Sequence, residues 1–146
     1  REHQIFFSGD HVLFDITPHI ESWSYAVNSL SDYLQSLDNV YRLPVKLVLP
    51  GHRNFSGNLQ DRVNEIKQHH HERAEEVLTV LEEKSMNAYE IAARMTWDID
   101  CPTWQDFPIA QRWFATGEAI AHLRFLESEG RILRDTSQAI ITFCAV

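Results

Sequence analysis

The apolar positions of this chain form short strand-like runs at first and helical spacings later. Residues 4–14, QIFFSGDHVLF, hold two apolar runs either side of a Gly9-Asp10 turn and predict two short strands. From 24 to 38, Tyr25, Val27, Leu30, Tyr33, Leu34 and Leu37 take helical spacing, with Asn28, Ser29, Ser31 and Asp32 on the wet face. Pro44 precedes Val45-Lys46-Leu47-Val48-Leu49, which predicts a buried strand stopped by Pro50-Gly51-His52. Strand, helix, strand in this order is a layered α/β unit. So few elements cannot bury their own faces, so the unit is expected to be part of something larger.

The stretch from Asn54 to Leu59 reads as a linker, and beyond it the pattern turns helical. Val63, Ile66, His70, Ala74, Val77 and Leu81 fall three and four apart and predict a long amphipathic helix over about 61–84. Asn87 with Glu90 is a capping-box start for a helix from Ala88 to Met95. Thr96 to Phe107, with Pro102, reads as a loop. Pro108 suits the first turn of a helix to about Ala115, which Thr116-Gly117 breaks or kinks. Glu118 to Glu129 is helical again, with Gly130 as its stop. Arg131-Ile132-Leu133-Arg134, a turn over 135–138 and Ala139 to Val146 predict a hairpin. Helices followed by a terminal hairpin are the layout of a winged helix. The expected class is α+β, divided into residues 1–57 and a winged-helix-like domain over 58–146.

Composition narrows the partners. The 146 residues are 44% hydrophobic and 11% aromatic, enough for a packed core. No run is long and apolar enough to span a membrane, and no signal peptide is visible. The chain begins with Arg1 rather than Met, and a strand starts almost at once, which points to a missing native N-terminus. Cys101 and Cys144 lie in no motif, so a disulfide framework is not expected and a reduced, cytoplasmic protein fits. The net charge is −8. From Asn58 onward, 9 Lys and Arg face 15 Asp and Glu, a net of −6. A domain so acidic is poorly suited to a phosphate backbone, and the candidate recognition helix, 117–129, sets Arg124 among Glu118, Glu127 and Glu129.

The candidate chemistry lies at Asp10, His11 and His52, each beside a glycine at the end of an apolar strand. In α/β sheets such ends are where sites are built, because the sheet fixes the side chain while the loop exposes it. A carboxylate and an imidazole from two strand ends suit a divalent metal such as zinc. Asp after Gly is equally a common turn acid. His11 either orients Asp10, touches substrate or is an ordinary strand residue facing a polar gap.

The words FFSGDHVLF and LVLPGH resemble the last two metal motifs of the metallo-β-lactamase-fold hydrolases, the superfamily that includes glyoxalase II. GDHVLFDITPHI, ERAEEVL and GEAIAHLRFLESEGRI are similar to the lactamase-β-2-like branch, whose lactamase domain carries a C-terminal winged helix. The resemblance covers essentially the whole chain. It implies that residues 1–57 are the C-terminal portion of an αβ/βα metallo-β-lactamase fold. By the same resemblance Asp10 is the ligand that bridges two metals, and His52 the terminal ligand of the second. It further implies one or two zinc ions in the intact protein, and a hydroxide, made by lowering the pKa of metal-bound water, that attacks an ester, thioester, lactam or phosphodiester.

The family's main metal motif, H-x-H-x-D-H, does not occur in this sequence. His69-His70-His71-Glu72 cannot replace it, because consecutive helical residues point about 100° apart. With two ligands where zinc needs at least three, the fragment alone is expected to be metal-free and inactive. His70 reads as a core or interface histidine and His122 likewise. Trp97, Trp104, Trp113 and Phe114 read as core packing, with a lid or pocket wall as the alternative for Trp97 and Trp104. Asp98, Asp100 and Asp106 lack the dense pattern of a calcium loop and read as turn and cap acids. The expected substrate is a small ester or thioester. The expected role of 58–146 is a cap or homodimer module, the alternative being a nucleic-acid-binding or regulatory winged helix.

Overall fold

The computed structural model of the chain describes residues 3–52 and 57–146. Its elements run β1 (Ile5–Gly9), α1 (Ser29–Tyr41), β2 (Leu47–Pro50), α2 (Leu59–Leu81), α3 (Ala88–Ala92), α4 (Ile109–Ser128), β3 (Ile132–Asp135) and β4 (Thr142–Ala145), with a single 3₁₀ turn at Trp104–Asp106. Two compact units emerge. One holds the residues up to His19 together with Asp32–His71, and the other holds Ile20–Ser31 and Glu72–Val146. Among the described residues, no helix is long and apolar enough to cross a membrane.

In the first unit β1 and β2 pair in parallel, with Ile5 opposite Leu47, Phe7 opposite Leu49 and, after a bulge, Gly9 opposite Pro50. Parallel strands need a crossover, and the connecting chain supplies α1. The expected second strand at Val12-Leu13-Phe14 does not form. Val12 and Leu13 are buried all the same, as part of a tight turn in which the Ser8 hydroxyl donates to the Val12 carbonyl at 2.8 Å and the His11 N–H donates to the Ser8 carbonyl at 3.0 Å. An apolar run marks burial, and only a free neighbouring strand edge makes it a strand. The sheet is also less buried than expected: Val48 is covered, whereas Phe7 is 76% exposed and Leu47 40%. The first helix starts later than its pattern suggests, since Asn28 accepts from the Ser31 N–H and so caps it, leaving Tyr25 and Val27 outside.

Helix α2 matches its expected stripe. Asn58 accepts from the N–H groups of Gln60 and Asp61 at its start, and Val63, Ile66, His70, Ala74, Val77 and Leu81 are all buried. Each of the Val, Ile and Leu side chains so covered contributes roughly 1.5–3 kcal/mol, which outweighs the polar cost of the stripe's one histidine.

In the second unit the capping box at Asn87 and Glu90 is present in both directions and starts α3. The hairpin β3–β4 pairs antiparallel, and Met86 adds a bridge to Phe143 through two backbone hydrogen bonds. Buried Ile91, Leu123, Leu126, Ile132 and Phe143 form the core here. Thr116-Gly117, expected to break or kink the helix, does not break it: α4 runs from Ile109 to Ser128. Gly117 serves a close approach instead: a Cβ there would lie 2.8 Å from the Trp23 ring, and its carbonyl accepts from the Ser22 N–H. The aromatic group does not form a core as expected. Trp113 is 49% exposed and Phe114 42%, while Trp97 and Trp104 are half-buried. His70 and His122 are buried, as expected of core histidines.

Candidate metal centre

The parallel register decides where the chemistry lies. Because β1 and β2 run the same way, Gly9 and Pro50 end the sheet at one edge, and the residues just beyond them become neighbours. The Gly51 N–H donates to the Gly9 carbonyl at 2.8 Å and ties the two ends together. A Cβ on Gly51 would stand 2.7 Å from Asp10 Oδ1 and 3.2 Å from the Gly9 carbonyl carbon, so a side chain there would push the carboxylate aside. As a result His52 Nε2 lies 3.5 Å from Asp10 Oδ1. Both side chains are open to solvent, at 51% and 70% exposure.

Two ligands held about 2.1 Å from a zinc ion at the tetrahedral angle stand about 3.4 Å apart. The Asp10–His52 separation fits that spacing, and an oxygen with an imidazole nitrogen is a donor pair zinc accepts. The pair supplies two donors only. Among the described residues no three His, Cys, Asp or Glu side chains are grouped to hold a metal ion. His69, His70 and His71 lie on α2, with His70 buried edge-on to Tyr33 at 5.7 Å between ring centroids.

The His11 side chain has different partners from this pair. Its Nε2 lies 3.2 Å from the Ser36 hydroxyl, and its ring meets Tyr33 edge-on at 5.1 Å. Burial holds the imidazole below its ordinary pKa of 6.5. The Tyr33 hydroxyl donates to the His11 carbonyl at 2.8 Å. Burial raises the Tyr33 pKa well above its ordinary value, with the Arg62 charge opposing. Arg62 itself, from α2, donates from Nε to the Leu13 carbonyl at 2.6 Å and from a terminal nitrogen to the Ile16 carbonyl at 2.9 Å. Two helices thus grip the backbone that carries Asp10. Sequence reasoning singled out neither Tyr33 nor Arg62 for this role, because each looked like an ordinary helix position and their partners are carbonyls, which every residue has.

Residues 74–146, half of the chain, match the family described as metallo-beta-lactamase-like, C-terminal domain. The chain belongs to the metallo-β-lactamase-like family. Solved structures agree. A beta-lactamase domain protein from Burkholderia ambifaria is 31% identical with a TM-score of 0.84, over 97% of this chain and 41% of that one. A metallo-beta-lactamase family protein from Thermus thermophilus is 28% identical with a TM-score of 0.79, over 99% of this chain and 43% of that one. The metallo-β-lactamase-like chain therefore spans about two-fifths of the length of these relatives. Metallo-β-lactamase-fold proteins are generally hydrolases and generally bind metals such as zinc.

Proposed function

We propose that this chain is the C-terminal part of a zinc-dependent hydrolase in which Asp10 and His52 are metal ligands. The observation that carries the reading is their 3.5 Å approach from two adjacent strand ends, at a spacing that suits one ion. In this reading residues 1–57 complete a lactamase-like domain, in which Asp10, as a bridging ligand, and His52, as a terminal one, would hold the metal. Bound zinc would supply a Lewis-acid charge that makes water nucleophilic at neutral pH. The chain's own contribution is to hold the Asp10 carboxylate and the His52 imidazole at a fixed separation. Gly51 and the Ser8 turn do this from the strands, and Tyr33 and Arg62 from the helices. The substrate class is a small ester or thioester, in a cytoplasmic setting.

Residues 58–146 are read as a winged helix of the lactamase-β-2-like branch, acting as a homodimer or capping module. The order of helices and terminal hairpin supports this. Arg124, the cation a DNA-reading helix would need, is paired with Glu127, which disfavours the regulatory alternative. The test is ester and thioester hydrolysis by the full-length protein, expected to vanish on chelation and return with zinc. Hydrolysis that survives complete metal removal would sink the reading. Concentration-dependent mass by light scattering tests the dimer.

A further inference from the structure

Trp23 and Trp113 stack in the second unit, with ring centroids 4.2 Å apart and planes 16° from parallel. Both are nearly half exposed, so this pair is not core packing. With Tyr89, Ile109, Arg112 and Thr116 they line an apolar cavity of about 340 Å³. Trp23 is held there because Gly117 lets its ring lie against α4.

Arg112 is the one charged residue of that lining, and its pairing differs from that of other arginines in the unit. Arg73, Arg124, Arg131 and Arg134 each meet a carboxylate, and Arg94 donates to the Glu90 carbonyl at 2.8 Å. Arg112 donates to the Tyr89 hydroxyl at a long 3.5 Å, and its buried Nε has no hydrogen-bond partner among the described residues. In a chain where 21 acids face 13 bases, a guanidinium without a carboxylate at an aromatic cavity points to an anion from outside.

We propose that this cavity binds a small aromatic carboxylate, its ring against the Trp23–Trp113 pair and its carboxylate on Arg112. The volume lies near the lower end of small-ligand pockets, roughly 300–1,000 Å³, which suits one or two rings. A planar guanidinium matches a carboxylate in two parallel hydrogen bonds. One cation balances a monoanion, whereas a phosphate dianion would be left half compensated. The proposal needs no metal.

The test uses the full-length protein with ¹⁵N-labelled tryptophan and naphthylacetate as the probe. Its indole N–H signals for Trp23 and Trp113 should shift saturably, while that of Trp97, whose N–H is held by the Ala92 carbonyl, should not. Naphthylacetamide, the neutral analogue, should bind at least ~10-fold more weakly. Arg112→Gln should erase that difference, and Trp113→Ala should remove binding, with the remaining spectrum unchanged in each. Equal binding of acid and amide overturns the proposal. So does the absence of saturable shifts, which would mean that the face is covered by protein. Shifts that follow protein concentration instead of probe overturn it in favour of a second copy as the occupant.

Discussion

His52 Nε2 stands 3.5 Å from Asp10 Oδ1, although the two residues come from separate strands with a helix between them. If this pair holds metal, Asp10→Ala in the full-length protein removes a ligand. Metal binding should then weaken by more than the ~10–100-fold that outlying supporting groups typically cost. Metal per chain, measured by elemental analysis after dialysis, reads this directly. An unchanged ratio refutes the ligand role.

Gly51 offers a subtler disturbance of the same site. The added Cβ of Gly51→Ala would press on Asp10 Oδ1 from 2.7 Å and on the Gly9 backbone from 3.2 Å. We expect metal affinity to drop by about 10–100-fold, as when a group that orients a ligand is lost. His52 and Asp10 themselves remain, so chelator competition should separate this variant from Asp10→Ala. Wild-type affinity would mean that the carboxylate does not need the passage that glycine leaves.

Tyr33 links stability to high pH. Its folded pKa lies above the ordinary 10.0, chiefly through burial. The folded chain therefore keeps the phenol proton where the unfolded chain releases it. The sign follows: the contribution is complete below pH 10 and is lost as pH rises above it. Tyr33→Phe should cost about 1 kcal/mol at neutral pH by deleting the hydrogen bond to the His11 carbonyl, and should flatten the loss of stability above that pH. Urea unfolding at several alkaline pH values checks both, and an unaltered slope in the variant would remove Tyr33 as its source.

Arg73 is the centre of an ion network in the second unit. It pairs with Glu76 and with Glu118, donates to the Thr96 carbonyl at 2.7 Å and lies over the Trp97 ring at 4.4 Å. The Arg73 and Glu118 side chains are only 11% and 12% exposed. Arg73→Met keeps much of the apolar stem but removes the charge that both acids face, while Glu76 keeps the Thr96 N–H, so unfolding free energy should fall by about 1.5–3 kcal/mol. A loss below 1 kcal/mol, the level of a surface pair, would show that water screens the network.

Much of the fold was legible because its signals are local. The stripe from Val63 to Leu81 reports one buried helix face, and Asn87 with Glu90 reports a cap, whatever lies elsewhere in the chain. The misreadings share a cause. Val12 and Leu13 were read as a strand from their apolar run, which marks burial, since burial is local in pattern and pairing is not. Gly117 was read as a helix break or kink because its neighbour Trp23 lies far off in sequence. Trp113 and Phe114 were assigned to a core that does not enclose them, because aromatic content reveals apolar area and not what covers it.

By itself the sequence determined which stretches are helical, the terminal hairpin and the choice of Asp10, His11 and His52 as the residues to watch, because periodicity and turn chemistry act within a few residues. Only the tertiary structure decided that Asp10 turns toward His52 while His11 turns toward Tyr33 and Ser36. That choice rests on parallel pairing, on a glycine that leaves room for a carboxylate, and on helix side chains that grip backbone carbonyls. These contacts join distant residues at the cost of closing long loops, and no window of sequence contains both partners.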